Sequence, residues 1–201
     1  MKRQQLDLLL KKQLTPATYQ AMKNTDRAKF VLPEFLVFAY EDRPLSIGHD
    51  VTISQPSLVG KMIDFLEIES ISNILELGTG SAYNAAVMSK LVPYGTLTTV
   101  ERVRPLATRA KKLLARAKNT TVISGDALTV KYKHPFDRII ATAEFLDTAT
   151  MKKFLDENAA FFCIAVFPMQ GQLWRMVKCG KHITSEPLMA VRFVPVLGGE
   201  Q

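Results

Sequence analysis

The sequence predicts an α/β fold in which a mostly parallel sheet carries helices on both faces. Apolar, β-favouring runs alternate with helical runs along most of the chain after residue 56. The stretch "ILELGTGSAYNAA" (74–86) passes from a strand, through a turn of small residues, directly into a helix. With 201 residues, 47% of them hydrophobic, the chain can bury one sizeable core. We therefore expect ligands to bind beyond the carboxyl ends of the strands.

The first 45 residues are expected to form a helical extension that packs on a single domain spanning residues 46–201. Thr15 and Pro16 have the residue types of a helix N-cap and a first-turn proline. The run "ISQPSLVGKMIDFLEI" then places Leu58, Met62 and Leu66 at helical spacing, which predicts an amphipathic helix.

The alternation that follows predicts the sheet and its covering helices in order. Strand "NILEL" precedes helix "AYNAAVMSKLV", strand "TLTTVE" precedes helix "PLATRAKKLLARAK", and strand "TTVIS" precedes strand "FDRIIATA". Helix "TATMKKFLDEN", strands "AFFCIAVF" and "QLWRMVKCG", and a last strand near "AVRFVPV" complete the chain. The final strands are candidates for antiparallel pairing.

The net charge of +7 is concentrated in two basic segments, at the N-terminus and between Arg102 and Lys118. A basic segment can bind nucleic acid, or it can be the solvated face of an amphipathic helix. Leu106, Ala110 and Leu113 recur at helical spacing in the second segment, and no aromatic residues interleave with its basic ones. We therefore favour the helix, and do not expect a nucleic-acid partner.

Three further features narrow the class of protein. No run of 18 apolar residues occurs, so no membrane span is expected. Cys163 and Cys179 lack CxxC partners, and Cys163 lies in an apolar run, which indicates a buried thiol in a reduced, cytoplasmic protein. His49, His134 and His182 are scattered, so no metal site is predicted.

The turn after the first predicted strand of the alternation could bring the backbone close to a ligand. Gly78 and Gly80 allow a close approach, and a helix N-terminus follows them. Tyr83 stands where a dinucleotide-binding motif would have its third glycine. Glu76, two residues before the first glycine, suits a cationic amino-acid tail better than a pyrophosphate. An ordinary tight turn remains an alternative for this motif alone.

The next two strand ends are also acidic. Glu101 ends a strand about 20 residues further on, where it could accept hydrogen bonds from ribose hydroxyls or pair with Arg102. Asp126 could accept a hydrogen bond from the amine of adenine or cap a turn. Together, the three strand ends predict a pocket for an adenosyl group with a charged amino-acid tail, which is S-adenosylmethionine.

The sequence lacks two motifs that would indicate a nucleic-acid base as the methyl acceptor. The fourth strand end reads "ATAEFL" and lacks the Asp/Asn-Pro-Pro-aromatic motif of amino-methylases of nucleic-acid bases. Neither cysteine follows a proline, as the nucleophile of cytosine C5 methylases does. A carboxylate acceptor fits the absence of an obvious base, because it is ionised at neutral pH and need not lose a proton.

Six collinear blocks, together with "DRAKFV", resemble the protein-L-isoaspartate O-methyltransferase family over roughly residues 26–199. They are "PLSIGHDVTISQPSLVGKMIDFL", "ILELGTGSAYNAAVMSKL", "GTLTTVER", "SGDA", "PFDRIIATA" and "VRFVPVLGG". The resemblance implies a Rossmann-like class I SAM-dependent methyltransferase fold. It also implies a monomeric enzyme that methylates the carboxylate of isoaspartyl residues in damaged proteins.

The resemblance also assigns roles to individual residues. Ser54 matches the active-site serine, and Thr52 and Ile53 beside it would contact substrate. Without the resemblance, the residue type and position of Ser54 predict a helix N-cap, and both roles can hold together. The positions that match cofactor contacts are Glu76, Gly78, Thr79, Gly80, Glu101, Asp126, Ala127 and Gln172.

The chain departs from the family pattern at three places. Ala82 replaces the third glycine of the turn, where its methyl group could narrow the cofactor pocket. His49, Asp50 and Val51 replace Tyr, Gly and Gln, which would put a negative charge near an anionic substrate, and Glu144 is added at the fourth strand end. These changes leave open a methyltransferase with another acceptor, or a SAM- or RNA-binding paralogue with reduced activity.

Overall fold

A computed structural model describes residues 3–145 and 147–193, and its centre is a seven-stranded sheet. A separate two-stranded hairpin is formed by β1 (Leu45–Gly48) and β2 (Val51–Ile53). The sheet contains β3 (Asn73–Leu77), β4 (Thr96–Glu101), β5 (Thr120–Ser124), β6 (Phe136–Ala141), β7 (Ala159–Met169), β8 (Gln172–Cys179) and β9 (His182–Ala190). The helices are α1 (Arg3–Gln13), α2 (Pro16–Lys23), α3 (Pro56–Phe65), α4 (Tyr83–Leu91), α5 (Arg104–Leu113) and α6 (Thr148–Asn158). Short 3₁₀ helices span Arg27–Lys29 and Pro33–Phe38.

The strand order β5-β4-β3-β6-β7-β8-β9 confirms the predicted mostly parallel sheet. Strands β3 to β7 pair in parallel, whereas β7-β8 and β8-β9 pair antiparallel, as the sequence indicated for the final strands. The chain runs outward from β3 to β5 and then returns to β6 on the other side of β3. This reversal leaves a crevice beyond the carboxyl end of β3, where open α/β sheets bind ligands.

Alternate residues of the central strands point to two hydrophobic cores. Ile74 of β3 belongs to the core that α1 to α5 cover, whereas Leu75 belongs to the core that α6 and the segment after β5 cover. Because both sides of the strands are buried, they are continuously apolar rather than alternating.

The N-terminal helices pack on the core through α3 and α4. The Thr15 side chain accepts a hydrogen bond from the Thr18 amide, and Pro16 is the first helical residue, so the predicted cap is confirmed. Thr15 also donates to the Asp64 carboxylate from its hydroxyl (2.6 Å) and its amide (3.0 Å), which joins the start of α2 to α3. The domain boundary at residue 45 stays a prediction.

The last strand was predicted wrongly. It spans His182–Ala190 rather than the segment near "AVRFVPV", whose residues 191–193 are not in a strand and whose residues 194–196 lie outside the described range. Gly180, with φ of +60°, begins a two-residue turn that folds β9 back on β8. Pro187 is tolerated because β9 is an edge strand, which needs hydrogen bonds on one side only.

Helix α5 is amphipathic, as predicted, although it ends earlier than the sequence indicated. It buries Leu106, Ala107 and Ala110 and leaves Lys111 and Lys112 exposed. Arg109 does not join the exposed basic face. Its guanidinium donates to the carbonyls of residues 30 and 31, both at 3.1 Å, and so ties α5 to the N-terminal extension.

Arg27 is a fully buried cation that connects the N-terminal extension to the segment after β2. Its guanidinium donates to the carbonyls of Ala39 (2.7 Å), Arg43 (3.0 Å) and Ser54 (3.1 Å). Burial lowers the pKa of Arg27 to about 10, so the side chain stays charged at neutral pH. The neighbouring Asp26 accepts a hydrogen bond from the Tyr40 hydroxyl at 2.6 Å and fixes the same loop.

We expect Arg27→Met to lower the free energy of unfolding by about 3 kcal/mol, because one buried and two partly buried carbonyls would lose a charged donor together. Arg27→Lys is expected to recover only part of this, since one ammonium group cannot reproduce the planar fork of a guanidinium. Urea denaturation measures both, with the exposed Arg116→Met as the control for loss of charge. A loss below about 1 kcal/mol in Arg27→Met would contradict the role of this network.

Candidate active site

The turn after β3 has a backbone conformation that requires glycine at position 78. Gly78 has φ of +94°, and a Cβ atom there would lie 2.5 Å from the Thr142 hydroxyl oxygen. The amides of Gly78 and Thr79 both donate to the carbonyl of Val100, at 2.9 and 3.2 Å. The turn is therefore held against the ends of two neighbouring strands, at the crevice where the order of the sheet reverses.

Ala82 has the left-handed backbone conformation that glycine would adopt freely. Its φ is +67°, and its side chain is fully buried. For an L-residue this conformation costs about 1–2 kcal/mol. Ala82 lines neither of the cavities described below, so the structure does not support the expectation that its methyl group narrows them.

Two cavities meet at the glycine turn. The first has a volume of about 770 Å³ and lies between the turn, the start of α3 and the residues that follow β9. The second has a volume of about 310 Å³ and lies over the ends of β4 and β5. Val51, Gly78, Gly80 and Thr142 line both of them. A ligand in one cavity can therefore reach a ligand in the other at this junction.

The second cavity brings together three of the predicted cofactor residues. Glu101, Asp126 and Ala127 all line it. The Glu101 carboxylate accepts hydrogen bonds from the amides of Gly80 (2.7 Å) and Val103 (2.9 Å), so it is oriented by the backbone rather than by the predicted alternative partner, Arg102. Asp126 accepts from the Leu128 amide at 2.9 Å. Two carboxylates therefore face this cavity as hydrogen-bond acceptors.

The hairpin of β1 and β2 covers the glycine turn and changes the interpretation of Asp50. His49 and Asp50, with φ of +56° and +55°, form its two-residue turn, where Asn-Gly sequences are usual. Both line the second cavity and neither lines the first. Asp50 therefore does not lie on the cavity of Ser54, as the sequence had suggested it could.

The first cavity is lined by Thr52, Ile53 and Ser54. The Ser54 carbonyl accepts from Arg27, which fixes the backbone of this segment. Within the part of the chain that the structure describes, the Ser54 hydroxyl makes no hydrogen bond. The segment therefore presents a serine hydroxyl at a fixed place in the cavity wall.

The N-cap predicted for Ser54 is wrong. Helix α3 begins at Pro56, its N-cap residue is Gln55, and the Gln55 side chain does not cap it. Asp42, from the loop before β1, takes this role by accepting from the amide (2.8 Å) and the hydroxyl (2.8 Å) of Ser57. Because a distant carboxylate satisfies the helix end, the Ser54 side chain is not needed there.

Glu76 lies under the glycine turn and lines neither cavity. It is fully buried, and its two oxygens accept hydrogen bonds from Asn84 (2.7 Å) and Thr99 (2.6 Å). The Thr99 and Thr79 hydroxyls lie 2.6 Å apart, so the network reaches the turn itself. Burial raises the pKa of Glu76 to about 7, and the two hydrogen bonds oppose this only partly.

Gln172 is not brought to the site. It is exposed at the start of β8 and lines neither cavity. Its neighbour Gly171 donates its amide to the Glu144 carboxylate at 2.7 Å and accepts from the Val191 amide at 2.9 Å. Glu144 therefore anchors the β7–β8 turn, which in turn holds a residue of the first cavity wall.

Sequence reasoning missed several residues that line the cavities. Thr142, at the end of β6, lines both and donates its hydroxyl to the carbonyls of Leu77 and Gly78. Asn84 and Lys61 line the first cavity from helices α4 and α3. The sequence indicated small residues at the fourth strand end, but no local pattern identified the helical residues.

Cys163 is buried, and burial raises the pKa of its thiol to about 12, which makes it unreactive at neutral pH. Within residues 3–145 and 147–193, no group of three His, Cys, Asp or Glu side chains could hold a metal ion. The described helices are all too short or too polar to cross a membrane.

The raised pKa of Glu76 predicts a pH-dependent stability. Because the folded protein binds this proton more tightly than the unfolded chain, the stabilisation is complete below about pH 4.5 and is lost as the pH rises through about 7. Glu76→Gln should therefore reduce the change in the free energy of unfolding between pH 5 and pH 8 by an amount on the order of 3 kcal/mol. Urea denaturation across this range, with the exposed Glu157→Gln as control, measures it. Parallel curves for wild type and Glu76→Gln would contradict the prediction.

Comparisons with known proteins match nearly the whole chain to one family. A family model described as Protein-L-isoaspartate(D-aspartate) O-methyltransferase matches residues 2–201. The Protein-L-isoaspartate O-methyltransferase of Aliivibrio fischeri strain MJ11 is 37% identical over 201 residues, which cover 97% of this chain and 95% of that protein. The protein of the same name from Fervidobacterium nodosum is 38% identical over 187 residues, covering 88% of this chain and 92% of that protein.

A solved structure named protein-L-isoaspartate O-methyltransferase has the same fold, with a TM-score of 0.87 and 25% identity. The match covers 98% of this chain and 66% of that one. The agreement therefore includes the N-terminal helices and the β1–β2 hairpin as well as the sheet. Because the family model matches nearly every residue, and the fold and the glycine turn agree with it, the chain belongs to the protein-L-isoaspartate(D-aspartate) O-methyltransferase family.

Proposed function

We propose that this protein transfers a methyl group from S-adenosylmethionine to the free α-carboxylate of L-isoaspartyl residues in damaged proteins. The observation that carries the proposal is the meeting of two chemically different cavities at Gly78, Gly80, Val51 and Thr142. One presents carboxylates suited to an adenosyl group, and the other presents the Ser54 segment. Family membership supports the acceptor class, and the junction is where we propose that transfer occurs.

The second cavity fits the adenosyl part of the cofactor by the chemistry of its polar groups. Glu101 would accept hydrogen bonds from the ribose hydroxyls, and Asp126 with Ala127 would border the adenine. S-adenosylmethionine, when bound, supplies an electrophilic methyl group on a positively charged sulfur. Gly78, Thr79 and Gly80 line the first cavity, where they would let the backbone pass close to the amino-acid part of the cofactor.

Glu76 acts as a positioning residue in this proposal rather than as a direct contact. Its bonds to Asn84 and Thr99 fix the start of α4 and, through Thr79, the glycine turn from below. The proposal assigns no role to Gln172, because it is exposed at the start of β8 and lines neither cavity.

The acceptor needs orientation rather than activation. A carboxylate is ionised at neutral pH, so an O–C bond can form as the S–C bond breaks without any proton transfer. The Ser54 hydroxyl would donate a hydrogen bond to this carboxylate, and Thr52 and Ile53 would border the substrate. Holding the oxygen in line with the methyl carbon supplies much of the rate enhancement.

The departures from the family pattern do not favour a different acceptor. Asp50 lines the second cavity, Glu144 binds the Gly171 amide, and Ala82 lines neither cavity. None of these three residues lies on the wall that carries Ser54. Cytoplasmic localisation, a monomeric state and the absence of a nucleic-acid partner remain predictions from the sequence and the family.

The function is tested by methyl transfer to a synthetic isoaspartyl peptide and to its normal aspartyl twin. Radiolabelled methyl is expected on the isoaspartyl peptide only. Its peptide bond runs through the side-chain carboxyl group of the isoaspartyl residue, so the α-carboxylate of that residue is free. Label on neither peptide, with S-adenosylmethionine binding confirmed by calorimetry, would show that the acceptor is a different one.

Ser54→Ala is expected to lower kcat about 100-fold while the Kd for S-adenosylmethionine changes less than about twofold, since the hydroxyl orients the acceptor only. Stability should change little, because Asp42 and not Ser54 caps α3. Ser70→Ala is the matched control, since Ser70 is exposed before β3 at the opposite end of the sheet. An equal loss of activity and stability in Ser54→Ala would mean that the hydroxyl serves the fold.

A further inference from the structure

The first cavity carries positive charge, and the second carries mostly negative charge. Among the described residues, Lys61 and Arg192 line the first cavity, and no aspartate or glutamate lines it. The second cavity is lined by Asp50, Glu101 and Asp126, with Arg102 and His49 beside them. A negatively charged acceptor is therefore favoured in the first cavity over a neutral or positive one.

Lys61 lies at a defined distance from the start of α3. Gln55, Leu58 and Lys61 follow one another at a spacing of three and all line the cavity, so they form one stripe along the helix. From Pro56, the first helical residue, to Lys61 is a rise of about 7.5 Å along the helix axis. An extended peptide covers this distance in about two residues.

Lys61 has the exposure and freedom of a residue that can bind a ligand. It is half-buried, and in the described part of the chain neither Lys61 nor Arg192 forms an ion pair or a hydrogen bond. Arg192 is exposed and follows β9, on a wall of the cavity formed by Met189–Phe193. The two cations come from separate segments of the chain and line the same cavity.

We propose that Lys61, assisted by Arg192, selects isoaspartyl acceptors that carry a second carboxylate about two residues from the isoaspartyl residue. This inference rests on the proposed function, and it names the substrate class of the same cavity: acidic isoaspartyl segments. The Lys61 ammonium binds the flanking Asp or Glu side chain. It does not bind the carboxylate that is methylated, because that group lies beside the Ser54 segment, before the helix begins.

The test uses isoaspartyl peptides that differ at one position, two residues before or two residues after the isoaspartyl residue. Glu, Gln or Lys occupies that position, and kcat/KM is measured for each peptide. At low ionic strength we expect kcat/KM for one Glu peptide to exceed that of its Gln counterpart about three- to fivefold, with the Lys peptide lower still. The preference should shrink in 0.5 M salt, because screening weakens a half-exposed pair.

Variants assign the preference to Lys61. Lys61→Met should abolish it by lowering kcat/KM for the Glu peptide to the value of the Gln peptide, whereas Lys61→Arg should keep it. Lys112→Met removes the same charge from an exposed position on α5 that does not line the first cavity. It should leave kcat/KM unchanged for all three peptides. Arg192→Gln should reduce the preference without removing it.

Several results would overturn the inference. If the preference for the Glu peptide persists in Lys61→Met, another residue causes it. If Lys61→Met raises only the KM for S-adenosylmethionine, Lys61 binds the cofactor rather than the peptide. Equal methylation of the Glu, Gln and Lys peptides by wild type would refute this inference and leave the proposed function standing. Methylation of none of them would refute the proposed function and this inference with it.

Discussion

The buried guanidinium of Arg27 is the interaction on which the candidate site depends. Ser54 belongs to no strand; it follows the short β1–β2 hairpin and precedes α3. Arg27 fixes it by binding the Ser54 carbonyl together with carbonyls of the loop at residues 39–43. The N-terminal extension is therefore part of the active-site architecture. Since a buried charge is costly unless it is paired or hydrogen-bonded, loss of these bonds would leave the arrangement little tolerance for replacement.

Three carboxylates organise the rest of the site in three different ways. Asp42 accepts from the Ser57 amide at the start of α3 and leaves the Ser54 hydroxyl available for another partner. Glu101 holds the glycine turn through the Gly80 amide while facing the second cavity. Glu76 has no cation beside it, and burial therefore raises its pKa to about 7. Glu76 stabilises the turn through the hydrogen bonds that it accepts beneath it. Removing its carboxyl group from water costs free energy, which these hydrogen bonds offset only in part.

The separation of charge between the two cavities suits methyl transfer to a carboxylate. The carboxylates that we propose for ribose and adenine line the cavity on one side of the Gly78–Gly80 turn, and Lys61 and Arg192 line the other cavity with Ser54. A reaction between an anion and a sulfonium group needs alignment and exclusion of competing anions, and it does not need a base. Among the described residues, the four that line both cavities supply backbone groups and the Thr142 hydroxyl, and none of the four is a carboxylate or a histidine.

The sequence by itself determined the parallel sheet, the glycine turn and the acidic strand ends, because each is set by local periodicity or by a conformation that few residues adopt. Glu101 and Asp126 reach the cavity because the carboxyl ends of parallel strands must meet at one edge. The last strand was misplaced, because the hairpin of an edge strand is fixed by pairing with β8 rather than by its own pattern. Gln172 starts β8, as the sequence indicated, but it lines neither cavity. Only the tertiary structure decided that Asp42 caps α3, that Arg27 holds Ser54, and that Lys61 shares a cavity with Arg192. These are contacts between segments far apart in the chain, and no local spacing encodes them.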